Sequence, residues 1–246
     1  FFARPLGAVV FGHYGDRVGR KTTLVAALLT MGVSTVVIGL LPSYETAGVL
    51  APLLLALCRF GQGFGLGGEW GGAVLLATEN APPGKRSWYG MFPQLGAPVG
   101  LFLSSGVFWI LLHFMSQEAL LSWGWRIPFV ASIILIAVGM WVRLSITETP
   151  DFQKAIEKEE RVAVPVAELF RNHKRSLVLG TFVALATFVL FYIGTAYLLS
   201  YNVKVLKIPF LDALEVQILG SIVFGIFIPI AGKLAEKFGR REILIL

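Results

Sequence analysis

Long apolar runs separated by short polar segments form the main pattern of this chain. A helix needs about 20 apolar residues to cross a hydrocarbon core of about 30 Å, and most of the runs reach that length. They predict a shortened span over 1–14 and further spans over 22–41, 50–78, 88–112, 123–145, 176–202 and 213–234. Because backbone groups inside a bilayer must satisfy their own hydrogen bonds, these spans are helices. The pattern therefore predicts an all-α integral membrane protein.

The composition supports this class and narrows the expected partners. Of 246 residues, 56% are hydrophobic and 15% are charged, whereas soluble domains contain about one quarter charged residues. A lipid bilayer is thus the expected surrounding. The net charge of +6 then reflects membrane orientation, and we expect no nucleic-acid partner. Cys58 is the only cysteine of the sequence, which excludes an internal disulfide framework.

Basic residues alternate between the segments that join the spans. One set of segments contains sixteen Lys and Arg residues and comprises 15–22, 78–88, 143–176 and 232–242. The other set contains three and comprises 42–49, 113–126 and 203–213. Since basic residues accumulate on the cytoplasmic side of membrane proteins, the first set is predicted to be cytoplasmic.

The stretch 146–175 is the longest polar segment, and it predicts a central cytoplasmic loop. The loop would join an N-terminal membrane half, 1–145, to the start of a C-terminal half, 176–246. The chain begins within one apolar run, and residues 243–246 begin another. We therefore expect it to be an internal part of a longer chain.

A ten-residue motif occurs twice, six spans apart. Residues 12–21 read GHYGDRVGRK and residues 232–241 read GKLAEKFGRR, so both follow the pattern G-x-x-x-acid-base-x-G-base-base. Both copies follow a span on the predicted cytoplasmic side, which indicates two halves of like orientation, as in many transporters. One copy would fit a purely topological role, but two matched copies favour gating. The gating residues are predicted to be Gly12, Asp16, Arg17, Gly19, Arg20, Lys21, Gly232, Glu236, Lys237, Gly239, Arg240 and Arg241.

The first copy resembles the cytoplasmic signature loop of the major facilitator superfamily, and the second departs from it at Glu236 and Lys237. Together with FARPLG (2–7), QGFGLGGEWGGA (62–73) and WGWRIPF (123–129), it resembles the metabolite:proton symporter family. That family includes bacterial transporters of α-ketoglutarate, citrate, shikimate, and proline or betaine.

This resemblance implies a major facilitator fold of two six-helix halves in a bacterial inner membrane. The chain would hold about helices 2–8 of twelve and the start of helix 9. Helices 1 and 10, which line the central cavity of the family, would lie outside it.

Polar residues of the third span share one face. At 100° per residue, five positions fall within an arc of about 80°, namely Arg59, Gln62, Leu66, Glu69 and Ala73. Glycines cover the rest of the circumference, and small residues let neighbouring helices approach closely. Because charges within a span are costly, they are functional candidates. The arc therefore predicts a stripe that lines a cavity.

Glu69 and Arg59 are the predicted proton-coupling residues. Burial favours the neutral form of a carboxyl group and nearby cations favour its ionised form, so a Glu between both influences can bind and release a proton. The alternative is a permanently ionised Glu69 held by a basic partner. Ten residues, about 15 Å of helix, separate the two side chains, so each needs a partner elsewhere. Arg59 and Gln62 also form R-x-x-Q-G-x-G, which resembles a superfamily motif linked to proton coupling.

Arg4 lies twelve residues before Asp16, which places it about 18 Å deeper, near the bilayer centre. Taken as the buried charges, the two arginines Arg4 and Arg59 against the one glutamate Glu69 favour a carboxylate-bearing substrate, since Arg binds carboxylate in a bidentate manner. We expect an organic acid or a zwitterion. Its predicted contacts are Arg4, Arg59, Gln62, Gln94 and Tyr192, and helix–helix hydrogen bonding is the alternative role for Tyr192.

The glycines at 63, 65 and 68 also match G-x-G-x-x-G, a pattern typical of dinucleotide sites. Such a site needs a preceding strand and an acidic residue about twenty residues further on. Residues 50–78 instead form one membrane-length run, and residue 88 is Trp. The glycines are therefore interpreted as a packing surface.

These features favour a proton-coupled symporter that imports a small carboxylate-bearing metabolite by alternating access, as a monomer and without a cofactor. An uncoupled uniporter and a non-transporting sensor on a transporter scaffold are the alternatives, because a fold does not fix function. An enzyme is not expected, since the sequence shows no nucleophile–base pair, metal-spaced His/Cys set or paired carboxylates.

Overall fold

The computed structural model describes residues 2–145 and 170–245, and these are almost entirely helical. The long helices are α1 (Ala3–Val18), α2 (Arg20–Leu40), α4 (Leu50–Glu79), α5 (Arg86–Phe114), α7 (Arg126–Ser145), α8 (Lys174–Tyr192) and α10 (Phe210–Phe238). The short helices are α3 (Tyr44–Ala47), α6 (Gln117–Ala119), α9 (Leu198–Lys204) and α11 (Arg240–Ile245), and two π-helical segments occupy Leu120–Gly124 and Ile193–Tyr197. Six of the predicted spans each coincide with a long helix, and the predicted span 176–202 covers α8, the second π-helical segment and α9. Most of the predicted central loop, 146–175, lies outside the described residues.

The helices carry apolar side chains on their outer surfaces. Within the described ranges, six stretches are long and apolar enough to cross a membrane: α2, α4, α5, α7, the stretch from α8 to α9, and α10. Trp141 and Leu190 are each 71% exposed. Soluble proteins rarely expose apolar patches on this scale, so the arrangement is that of a multi-pass membrane protein.

The chain divides into two compact units. The first contains Phe1–Pro93 and Leu121–Pro165, and the second contains Gln94–Leu120 and Val166–Leu246. The first part of α5 therefore belongs to the first unit, and the remainder belongs to the second. The division into an N-terminal half, 1–145, and a C-terminal half beginning at 176 stays a prediction.

In the first unit, α4 packs against α1 and α2, and α2 packs against α7. Glycines make this packing possible. A Cβ atom on Gly67 would overlap the carbonyl oxygen of Arg4 in α1, and a Cβ atom on Gly65 would lie 2.7 Å from the carbonyl oxygen of Ala27 in α2. Such close backbone approach is the usual role of small residues between membrane helices. Most glycines of α4 thus form a packing surface, as predicted, and Gly71 is an exception.

The two copies of the repeated motif turn in the same way. In the first copy, α1 ends before Gly19 and α2 begins at Arg20; in the second, α10 ends before Gly239 and α11 begins at Arg240. The φ angles of Gly19 and Gly239 are 122° and 95°. Because side chains disfavour positive φ, glycine is required at both turns.

Two hydrogen bonds position the polar groups of α10 in the second unit. Trp109 Nε1 in α5 donates to Glu215 Oε1 at 3.1 Å. Gln217 Nε2 donates to the carbonyl oxygen of Thr195 at 3.2 Å. Thr195 lies in the π-helical segment that follows α8, where the altered hydrogen-bond pattern frees backbone groups that need other partners.

We expect Gly67→Ala to lower the thermal unfolding temperature of the detergent-solubilised protein. The added methyl group would overlap α1, and overpacking costs about 1–3 kcal/mol. Gly71→Ala is the matched control on the same helix, because no atom of another helix in the described part of the chain lies within 4 Å of its Cβ position. Equal effects of the two substitutions would contradict the assigned packing.

Candidate functional site

The polar face of α4 contacts α2 and α7. Glu69 Oε1 accepts a hydrogen bond from Arg143 Nη2 in α7, and the two groups form a salt bridge. Their side chains are 22% and 16% exposed, so both charges are largely shielded. Arg143 Nη1 also donates to the carbonyl oxygen of Leu24 in α2 at 2.7 Å. One guanidinium therefore joins three helices.

A second chain of hydrogen-bonded polar side chains lies nearer the start of α4. Arg59 Nη1 donates to Gln62 Oε1 at 3.2 Å, and Gln62 Nε2 donates to Thr35 Oγ1 in α2 at 2.7 Å. Thr35 Oγ1 in turn donates to the carbonyl oxygen of Met31 at 2.8 Å. Arg59 is exposed, and its guanidinium lies 6.0 Å from the ring centroid of Phe129 in α7. The amide of Gln62 thus orients a guanidinium that is open on one side.

Arg4 approaches α4 from α1. It is half-buried, and its carbonyl group would be overlapped by a Cβ atom on Gly67. A Cβ atom on Gly63 would lie 3.8 Å from Arg4 Cγ. Arg4 therefore lies along α4 at a level between Arg59 and Glu69, and its position near the bilayer centre stays a prediction.

Gln94 and Tyr192 belong to the second unit. Gln94 is half-buried in α5. Tyr192 is the last residue of α8, and its ring lies edge-on to Phe191 with centroids 5.4 Å apart. Four of the predicted site residues therefore lie in the first unit, namely Arg4, Arg59, Gln62 and Glu69. The other two, Gln94 and Tyr192, lie in the second unit.

The loop between α1 and α2 is attached to two other helices. Arg20 forms a salt bridge with Glu79, the last residue of α4, and both side chains are largely shielded. Lys21 Nζ donates to the carbonyl oxygen of Leu144 in α7 at 2.7 Å. Asp16 and Arg17 are exposed in the last turn of α1, one helical turn after Gly12.

The loop between α10 and α11 has a more open environment. Gly232 is buried in α10, whereas Glu236 and Lys237 are exposed in its last turn. Lys237 Nζ lies 5.2 Å from the ring centroid of Phe238. Beyond the Gly239 turn, Arg240 and Arg241 are exposed at the start of α11. The two loops share the glycine turn, and the basic residues after the turn are more exposed in the second loop than in the first.

Sequence reasoning misses Arg143, because it lies near a span end among basic residues that are predicted to be cytoplasmic. It also misses Glu215, although this carboxylate falls inside the predicted span 213–234. Arg126 lies in the motif WGWRIPF (123–129), and the sequence does not predict its partners. Its Nη1 donates to the carbonyl oxygen of Gly39 at 3.1 Å and also to that of Leu41, and so satisfies free carbonyl groups at the end of α2.

We expect Thr35→Val to lower the free energy of unfolding by about 1 kcal/mol more than Thr30→Val, the typical value of one hydrogen bond. Both hydroxyls donate to a carbonyl oxygen four residues earlier in α2, but only Thr35 also accepts from Gln62. Thermal unfolding in detergent measures the difference. Equal losses would mean that the bond to Gln62 contributes nothing.

Three comparisons place the chain among known proteins. The model of the Major Facilitator Superfamily matches residues 1–246. The chain is 54% identical over 250 residues to the inner membrane metabolite transport protein YhjE of Escherichia coli K12, covering 100% of the chain and 57% of that protein. It is 40% identical over 247 residues to the shikimate transporter of the same organism, covering 100% of the chain and 56% of that protein. The chain thus spans little more than half the length of these relatives.

The fold also matches a solved structure. The proton:xylose symporter XylE, bound to 6-bromo-6-deoxy-D-glucose, superposes with a TM-score of 0.76 at 17% sequence identity. The match covers 97% of this chain and 58% of that chain. At this identity the likeness concerns the fold alone, and it confirms the predicted major facilitator fold.

Proposed function

Because this chain belongs to the Major Facilitator Superfamily, we propose that it forms part of a proton-coupled symporter that imports a small carboxylate-bearing metabolite across a bacterial inner membrane. The relatives carry the names of a metabolite transport protein and a shikimate transporter. The observation that carries the coupling proposal is the shielded salt bridge between Glu69 and Arg143. Charges within a membrane span are costly, so a shielded pair on these helices is a candidate for a role in transport.

Glu69 is the proton-binding residue of this proposal. Its Oε1 atom is paired with Arg143, while its buried Oε2 atom has no hydrogen-bond partner among the described residues. A proton can therefore add to Oε2 without displacing a donor. Ionised and neutral Glu69 make contacts of different strength, because hydrogen bonds to a charged acceptor are roughly twice as strong as neutral ones.

Arg59 is the proposed anchor for the substrate. Its guanidinium is exposed, and one of its donor nitrogens is oriented by Gln62. The remaining donors suit the two oxygens of a carboxylate. Shikimate, the substrate named for one relative, carries a carboxylate, which supports an organic acid or a zwitterion as substrate.

The loop after α1 serves as a gate in this proposal. Arg20 and Lys21 attach it to Glu79 at the end of α4 and to Leu144 near the end of α7. Alternating access requires contacts that hold one state and break in the other. These contacts lie at the ends of helices that the charge pattern assigns to the cytoplasm.

We expect Glu69→Gln, in the full-length protein reconstituted into proteoliposomes, to abolish substrate accumulation driven by a pH gradient and to retain substrate exchange. The amide cannot take up the transported proton but still accepts a hydrogen bond. Glu118→Gln makes the same chemical change in exposed helix α6 and should accumulate substrate normally. Wild-type accumulation by Glu69→Gln would favour a different proton site or an uncoupled uniporter.

A second expectation concerns the gate. Asp16→Asn should slow transport several-fold and leave the substrate dissociation constant unchanged, because Asp16 lies in the last turn of α1 and not on the polar face of α4. Uptake rates and substrate titration measure the two quantities. Asp212→Asn, an exposed acid in the first turn of α10, is the control. A wild-type rate for Asp16→Asn would reduce the loop to a determinant of topology.

Substrate binding without substrate-dependent proton uptake or transport in wild-type vesicles would instead support a sensor. In that case the polar face of α4 would bind a ligand and report it, and the fold would not be used to move it.

A further inference from the structure

Arg143 joins α7 to two helices through two different kinds of acceptor. It is the third residue from the end of α7 (Arg126–Ser145). Its Nη1 atom donates to a main-chain carbonyl oxygen, that of Leu24 in α2, at 2.7 Å, and its Nη2 atom donates to the Glu69 carboxylate in α4. A backbone carbonyl cannot be protonated in the physiological range, whereas a carboxylate can. Only the connection to α4 is therefore open to control by a proton.

The position of α2 determines how the helices would respond if Arg143 lost its bond to the carboxylate of Glu69. Helix α2 packs against both α4 and α7, and Arg143 reaches past it to Glu69. If the Glu69 carboxylate becomes neutral, the bond to α4 loses its ionic part, while the bond to Leu24 is unchanged. A neutral Glu69 would thus loosen α7 from α4 and leave α7 attached to α2.

Other charged groups on these helices have partners of their own. In α4, Arg59 bonds to Gln62, and Glu79 pairs with Arg20 of α2. Lys21 of α2 and Arg126 of α7 donate to backbone carbonyl groups. The remaining titratable groups on the elements around α4 are Arg4, His13, Tyr14, Asp16 and Arg17 in α1, Tyr44 and Glu45 in α3, and Cys58 in α4 itself.

We propose that Arg143 is the positioning residue through which the protonation state of Glu69 controls the attachment of α4 to α7. This inference rests on the proposed role of Glu69 in proton coupling. Arg143 does not carry the proton. It converts proton binding at Glu69 Oε2 into release of one helix from another, and the Leu24 carbonyl keeps the guanidinium in place for rebinding.

Hydrogen–deuterium exchange of the full-length protein in proteoliposomes tests the link directly. Backbone protection near the end of α7 should fall as the pH is lowered in the wild type. It should be low and independent of pH in Glu69→Gln and in Arg143→Gln. Arg126→Gln is the matched control, because Arg126 also bonds α7 to carbonyl groups of α2 but has no carboxylate partner in the described contacts. It should retain the pH dependence at the far end of α7.

Transport separates this role from a merely structural one. Arg143→Gln should lose accumulation driven by a pH gradient and retain substrate exchange, the same pattern as Glu69→Gln. A structural role would lower accumulation and exchange in the same proportion and leave their pH dependence unchanged. That outcome would overturn the proposal.

Two further variants cover a failure of Arg143→Gln to fold. Removing one partner of a shielded ion pair leaves an unpaired charge, whereas Glu69→Gln/Arg143→Gln leaves none. The double variant should match Glu69→Gln in exchange protection and in transport. Arg143→Lys keeps the charge and should restore part of the pH dependence. Additive effects in the double variant, or no rescue by Lys, would contradict the inference.

The two proposals fail in different ways. If Glu69→Gln accumulates substrate like the wild type, the proton role of Glu69 is wrong. If Glu69→Gln loses accumulation while Arg143→Gln keeps both accumulation and pH-dependent protection, Glu69 retains its role and the inference about Arg143 is wrong.

Discussion

The close approach of α4 to α1 and α2 is the constraint on which the first unit depends. Glycines remove the side chains that would keep the helices apart, so backbone meets backbone at Gly65 and Gly67. In a membrane this contact replaces the hydrophobic driving force that soluble helices use. It also confines the polar side chains of α4 to the remaining arc, where Glu69 and Gln62 find partners on α7 and α2. The distribution of glycines on α4 therefore determines both where the helix packs and where its polar residues lie.

Membrane spans could be predicted from the sequence because the hydrocarbon core imposes length and apolarity on each helix. The repeated turns were equally accessible, since positive φ at Gly19 and Gly239 leaves a residue signature. Helix periodicity placed Arg59, Gln62 and Glu69 on one face of α4. These three predictions each follow from a local rule that acts within one helix or one turn.

The partners of that face could not be predicted in the same way. Arg143 lies 74 residues after Glu69, and near the end of a span it resembles any basic residue that fixes orientation. Its long side chain reaches inward instead, which depends on how α2 holds α7 beside α4. The salt bridge between Glu79, at the end of α4, and Arg20, at the start of α2, depends on helix packing in the same way. Helix packing decides both cases, and no local pattern encodes it.

The arginines of α7 have a joint mechanical consequence. Arg126 bonds the first turn of α7 to carbonyl groups at the end of α2, and Arg143 bonds the last turn of α7 to Leu24 near the start of α2. Because they are bonded near both ends, α2 and α7 would move together as one rigid pair. A motion within the first unit would then shift this pair relative to α4, along the glycine-lined surface of α4.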